Sequence, residues 1–200
     1  NLPAVESLSL FSDSEIKISG EMISDLHLKT VVNQSDFLEP IENFEIILNY
    51  IIGYDLDNKF LTNCPTGSFG NILKVNFYKY AVKKNFINTL SNLFDSLNIH
   101  IENYVPTPLS SALATLNSDD KILGAICIDL GASSSSIAIF ENEKLIFMDA
   151  INIGGRNITN DIARGISTNL ESAERLKTLY GSVISSPSDE YEVIEVPYLS

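Results

Sequence analysis

Cations are scarce in this chain of 200 residues: 13 Lys and Arg stand against 26 Asp and Glu, a formal net charge of −13. Nucleic acids are bound through clustered cations, so this balance argues against a nucleic-acid partner and against a polybasic membrane patch. Cysteine is almost missing. Cys127 lies inside an apolar run and reads as a small buried residue, and Cys64 is the only other one. With His27 and His100 the only histidines, spaced without ligand logic, a structural metal site has no support. No apolar run approaches the roughly 20 residues that a spanning helix needs. No signal-peptide pattern is visible either, so the chain reads as cytosolic. The glycosylation-type triplets Asn33-Gln34-Ser35 and Asn157-Ile158-Thr159 are then without consequence. There is no G-x-x-x-x-G-K, no G-x-G-x-x-G and no protein kinase motif. The first residue is Asn rather than Met and the last stretch, "EYEVIEVPYLS", is strand-like, which suggests a piece of a longer protein.

What is present is ordinary globular material, 44% hydrophobic and 20% charged, enough for one large or two small domains. "EIKISG" (15–20) alternates Ile16 and Ile18 with polar residues, as a half-buried strand does. "FEIILNYIIGYDLD" (44–57) predicts a central strand. A Pro and Gly loop, "NCPTGSFGN", follows. "ILKVNFYKYAV" then puts Leu73, Val75 and Phe77 on one face of another strand. From Lys83 the period changes: Val82, Phe86, Leu90, Leu93 and Leu97 form the stripe of an amphipathic helix. "NIHIENYVP" reads as a short strand after it, completing an α+β module.

A boundary is expected near Pro106. "VPTPLSSALATL" predicts a helix with Leu109, Ala112, Leu113 and Leu116 inward, ended by the polar "NSDDK". Two strands joined by a tight turn, "GAICIDLGASSSSIAIF" (124–140), come next, then a third, "KLIFMDAINI" (144–153). Two helices close the chain, from about Asn157 to Gly165 and from Leu170 to Tyr180. Thr168 and Glu171 have capping-box spacing, and Gly181 stands where a helix C-terminal glycine belongs.

Three features carry possible chemistry. The turn after Asp129 consists of small residues, so backbone N–H groups and serine hydroxyls can approach an anion, and the carboxylate before it can hold a hydrated Mg²⁺. An exposed hairpin that binds nothing explains it equally well. Gly154-Gly155 precede a helix whose first N–H groups would be open to negative charge. Glu174 and Lys177 share a helix face, where they can meet ribose hydroxyls or simply pair with each other.

In this order, the three features resemble the second half of the actin and DnaK-type ATPase superfamily, and within it the bacterial cell-division family FtsA, especially its alphaproteobacterial form. The residues that carry the likeness are "INIGGRNITNDIARGISTNLESAERLKTLYGSVISSPSDEYEVIEVP" (151–197), with "CPTGSFG" (64–70) and "KISGEMIS" (17–24) in support. The resemblance implies an α/β fold: an actin-like, ribonuclease-H-like nucleotide-binding subdomain with a small inserted α+β subdomain. Residues 1–104 would be the inserted interaction subdomain, and 105–200 the last helix of the first lobe plus the start of the second.

It implies ATP and Mg²⁺ as ligands. Asp129 would act on the metal and its water, while Gly131, Ser133, Ser134 and Ser135 line the phosphate. Gly154 and Gly155 would sit near the nucleotide, and Glu174 and Lys177 would meet the ribose. The implied role is a scaffold rather than an enzyme. Such a protein tethers FtsZ filaments to the cytoplasmic face of the inner membrane at the division site, through a C-terminal helix absent here. It also recruits other divisome proteins and self-associates into filaments. Where the family has G-G-G-T, this chain reads Gly131-Ala132-Ser133-Ser134, and Ser136 stands where related ATPases often place an acid. A non-glycine residue costs about 1 kcal/mol or more wherever φ must be positive. Weak or absent ATPase activity is therefore expected. The alternatives are a phosphotransferase or chaperone ATPase of the same superfamily and a pilus-assembly relative.

Overall fold

The computed structural model describes residues 7–36, 41–184 and 193–196. The chain divides into two compact units. One comprises Asn1–Asp129 with Ser136–Ile151, the other Leu130–Ser135 with Asn152–Ser200.

The first unit is organised around β4 (Ile72–Lys83). It pairs antiparallel with β1 (Ser7–Lys17) on one side and β2 (Phe44–Leu56) on the other, and β3 (Lys59–Leu61) borders β2. Side chains along a strand alternate between faces, and β4 is apolar on both. Leu73, Val75 and Phe77 enter one core with Ile18, Ile23 and Val31 of α1 (Asp25–Asp36). Tyr78, Tyr80 and Val82 enter another with Ile87 of α2 (Lys84–Ser96), Ala112 of α3 (Thr107–Thr115) and Phe140, Leu145 and Met148. Paired on both edges and packed on both faces, β4 is the centre of this unit. Lys79 points to the α1 face, where its buried ammonium donates to the Ser35 carbonyl at 2.6 Å.

The second sheet has the order β5 (Ala125–Leu130), β6 (Ser135–Glu141), β7 (Lys144–Ile151). Within the first unit β7 is tied to the larger sheet at two points. Near its start, the Lys144 ammonium donates to the Thr62 carbonyl and, at 3.4 Å, to the Ile52 carbonyl, and lies 5.3 Å from the Tyr54 ring centre. Burial holds the Lys144 ammonium below its usual pKa. It pushes the Tyr54 phenol up to about 12, with Cys64 adding to the rise. Further along, the Tyr78 hydroxyl donates to the Met148 carbonyl at 2.7 Å and accepts from the Met148 N–H at 3.0 Å.

Several expectations change. "NIHIENYVP" forms no strand: the N–H groups of Leu97, Asn98 and Ile99 turn back onto the carbonyls of Phe94 and Asp95, and Asn98 takes a left-handed φ of 55°. The α2 stripe runs through Phe86 and Ile87, not to its far end, for Leu93 is 56% and Leu97 61% exposed. Leu113 of α3 also faces outward, leaving Ala112, Leu109 and Leu116 as the packed side. The polar "NSDDK" contains the start of a short helix, α4 (Ser118–Leu123), closed by reciprocal Asn117 and Asp120 caps at 2.8 and 3.0 Å. β1 begins well before Glu15, and α1 had no counterpart in the sequence reading. Of "EYEVIEVPYLS", residues 193–196 are not a strand, and the rest lies outside the described residues.

Candidate functional site

The second unit is built on two helices, α5 (Gly155–Gly165) and α6 (Leu170–Tyr180). Their small buried residues, Thr159 and Ala163 on α5 and Ala173 on α6, allow a close approach. The cap of α6 is Asn169, whose Oδ1 accepts from the Ser172 N–H at 2.8 Å, rather than the expected Thr168. Gly181 ends the helix as expected, its N–H donating to the Lys177 carbonyl at 3.1 Å.

The serine-rich loop docks on the start of α5. The Gly155 N–H donates to the Gly131 carbonyl at 3.0 Å, and the Arg156 N–H to the Ala132 carbonyl at 2.7 Å. The Gly154 N–H is taken by Asn157 Oδ1 at 2.9 Å, and the Asn157 N–H by the Gly154 carbonyl at 2.9 Å. The helix start is therefore capped by the protein itself, contrary to the expectation that its first amides stand open to an anion. This docking explains Gly154. A Cβ there would lie 2.5 Å from the Gly131 oxygen and 2.7 Å from the Ala132 carbonyl carbon. Neither Gly131 nor any residue from Ala132 to Ser135 has positive φ, so the departures from a glycine-rich loop cost no backbone strain.

The serines divide by role. Ser135 donates its hydroxyl to the Ile153 carbonyl at 2.7 Å, which ties the loop to the segment leading into α5. The hydroxyls of Ser133 and Ser134 have no protein partner among the described residues and remain available to a ligand. Asp129 lies in the first unit, half-buried, where its Oδ2 accepts from the Ser111 hydroxyl of α3 at 2.8 Å.

Between α5 and α6 opens a cleft of about 500 Å³, lined among others by Ala132, Arg156, Thr159, Glu171, Glu174 and Lys177. Its volume is in the range of small-ligand sites. Glu174 and Lys177 form an ion pair at 2.7 Å. The Lys177 ammonium also donates to the Gly155 carbonyl at 3.1 Å and the Thr159 hydroxyl at 2.9 Å. The Thr159 hydroxyl in turn reaches the Glu174 carboxylate. Hydrogen bonds from Lys177 and then Thr159 hold the Glu174 carboxyl below its ordinary pKa, and the charges of Lys177 and Arg156 add to this. The sequence reading named Glu174 and Lys177 but missed Thr159, Arg156 and Ser111. The signal for the first two was present: Arg156 directly follows Gly154-Gly155, and Thr159 lies one helical turn after Gly155.

The cleft thus combines two cations, Arg156 and Lys177, with two carboxylates, Glu171 and Glu174, and the Thr159 hydroxyl, a polar lining able to meet a small charged ligand.

The fold is that of the actin-like ATPases. A solved PilM-PilN type IV pilus biogenesis complex matches with a TM-score of 0.56 at 15% identity, over 86% of this chain and 48% of that one, a likeness of fold alone. The family model for cell division protein FtsA matches residues 126–200. The curated FtsA of Agrobacterium fabrum is 30% identical over 197 residues, 98% of this chain, and that of Rhizobium meliloti is 31% identical over 182 residues, 91% of it. The chain belongs to the FtsA family. It spans 44% and 41% of the length of these two relatives.

Proposed function

We propose that this chain is part of an actin-like scaffold of bacterial cell division, one that binds ATP as a conformational ligand and turns it over slowly or not at all. The observation that carries the reading is the similarity to FtsA along nearly the whole chain, both units included. Residues 1–104 would be the interaction subdomain and 105–200 the nucleotide-binding region. The cleft supports the second half of that reading, since loop, helix start and the Glu174–Lys177 pair belong to one compact unit. Bound ATP would be held by Ser133, Ser134, Glu174 and Lys177 of the second unit; Asp129, in the first, remains the candidate for a magnesium ion. The ligand would supply the charge and bulk that bias the protein between assembled and unassembled states. Ser136, lacking a titratable group, fits binding better than hydrolysis.

The whole protein would anchor FtsZ filaments to the cytoplasmic face of the inner membrane at the septum, recruit other divisome proteins and polymerise with its own kind. Among the described residues no helix is long and apolar enough to cross a bilayer. The test is co-sedimentation of the full-length protein with FtsZ filaments, with and without Mg-ATP. Joint pelleting is expected, and its failure under both conditions would overturn the reading.

A further inference from the structure

The capped start of α5 leaves the cleft with a chemical requirement. The Gly155 and Arg156 amides are already bonded to the loop carbonyls at 3.0 and 2.7 Å, so an anion in the cleft has to be met by side chains. Two cations line it. Lys177 is committed to the Gly155 carbonyl, the Thr159 hydroxyl and the Glu174 carboxylate. Arg156 is exposed; its charge acts on the nearby Glu174 carboxyl, but its guanidinium makes no hydrogen bond or ion pair with any described residue. Its backbone is tied to Ala132, the residue just before the unpartnered Ser133 and Ser134 hydroxyls. A guanidinium stays charged at every working pH and presents a planar fork of donors that matches phosphate oxygens.

We infer that Arg156 is the anion anchor of the cleft and that the ligand it selects is a nucleoside di- or triphosphate, a phosphate group taking the exposed, unbonded donors of the guanidinium in place of the occupied helix amides. The inference rests on the nucleotide reading above and adds the residue that makes the site distinguish a nucleotide from an unphosphorylated nucleoside. Lys177, already satisfied by three acceptors, keeps the α5–α6 geometry and the sugar side of the cleft.

Calorimetric titration of Mg-ATP, Mg-ADP and adenosine into the full-length protein, as wild type, Arg156→Gln and Arg156→Lys, tests this. Arg156→Gln is expected to weaken both nucleotides by about tenfold or more, the scale of one lost charge-assisted contact, and to flatten their salt dependence while leaving adenosine affinity unchanged. Arg156→Lys should restore part of the loss. Unaltered Mg-ATP affinity in Arg156→Gln would overturn the assignment, as would an equal loss of adenosine binding. A wild-type protein that binds neither nucleotide would overturn the nucleotide reading itself, an outcome decided before any variant is compared.

Discussion

The phenol of Tyr78 holds both backbone groups of Met148, donating to its carbonyl at 2.7 Å and accepting from its N–H at 3.0 Å, with the Ser9 hydroxyl 2.8 Å away. Met148 is fully buried, so water cannot replace the phenol if it is removed. Tyr78→Phe keeps the ring and orphans a buried donor. We expect a loss of about 1–3 kcal/mol in urea unfolding of the full-length protein, with nucleotide affinity unchanged. An unshifted unfolding midpoint would mean the contact is not held in solution.

Burial raises the phenols of Tyr78 and Tyr80 as well, so Tyr54 is read in alkaline titration as the difference between wild type and Tyr54→Phe. The Tyr54 phenol is pushed up to about 12 from 10.0, chiefly by burial. A phenol whose folded pKa is raised favours the folded state below the unfolded pKa, and that contribution is lost as pH climbs from 10 through 12. Absorbance titration near 295 nm is expected to show a late phenolate component that Tyr54→Phe removes. The same variant should unfold less steeply with pH above 10. A difference curve centred near 10 would show that Tyr54 is solvated like an ordinary tyrosine.

Two glycines of α5 and its cap should respond in opposite ways to alanine. At Gly154 a Cβ would sit 2.5 Å from the Gly131 oxygen, so Gly154→Ala forces the serine loop off the helix start. The expected cost is about 1–3 kcal/mol, accompanied by weaker nucleotide binding. At Gly165 nothing lies within 4 Å of the added carbon and φ is not positive, so Gly165→Ala should stabilise by about 0.4–1 kcal/mol. Thermal melts of the two variants beside wild type decide between this account and one in which both glycines are simple helix breakers.

How far the sequence was legible depended on whether burial was local. β4 could be read because Leu73, Val75 and Phe77 alternate with the polar Lys74 and Asn76, and those three do share one core. The first half of β1 could not: "SLSLFSDS" alternates weakly, and its strand character comes from pairing with β4, which no local pattern displays. "NIHIENYVP" failed for the converse reason, since its β-branched residues have no strand beside them and Asn98 ends α2 instead. At the site, Gly154 was noticed for the right position and the wrong cause. Its value lies in letting a loop carbonyl approach, a tertiary contact, rather than in exposing amides. Ser111 was out of reach altogether, because its hydroxyl meets Asp129 across 18 residues of chain.

The three loop serines offer the last test, because the structure gives each a different workload. Ser135→Ala removes a 2.7 Å bond to the Ile153 carbonyl and should cost about 0.5–1.5 kcal/mol of stability. Ser133→Ala and Ser134→Ala remove hydroxyls with no protein partner, so their stability should stay within about 0.5 kcal/mol of wild type. If those two hydroxyls meet phosphate, each variant should instead bind Mg-ATP several-fold more weakly, and the double variant more weakly still. Urea unfolding and calorimetry on the same preparations separate the two quantities. Stability lost at Ser133 or Ser134 with affinity intact would make the loop a structural turn, and the phosphate would then have to be held without it.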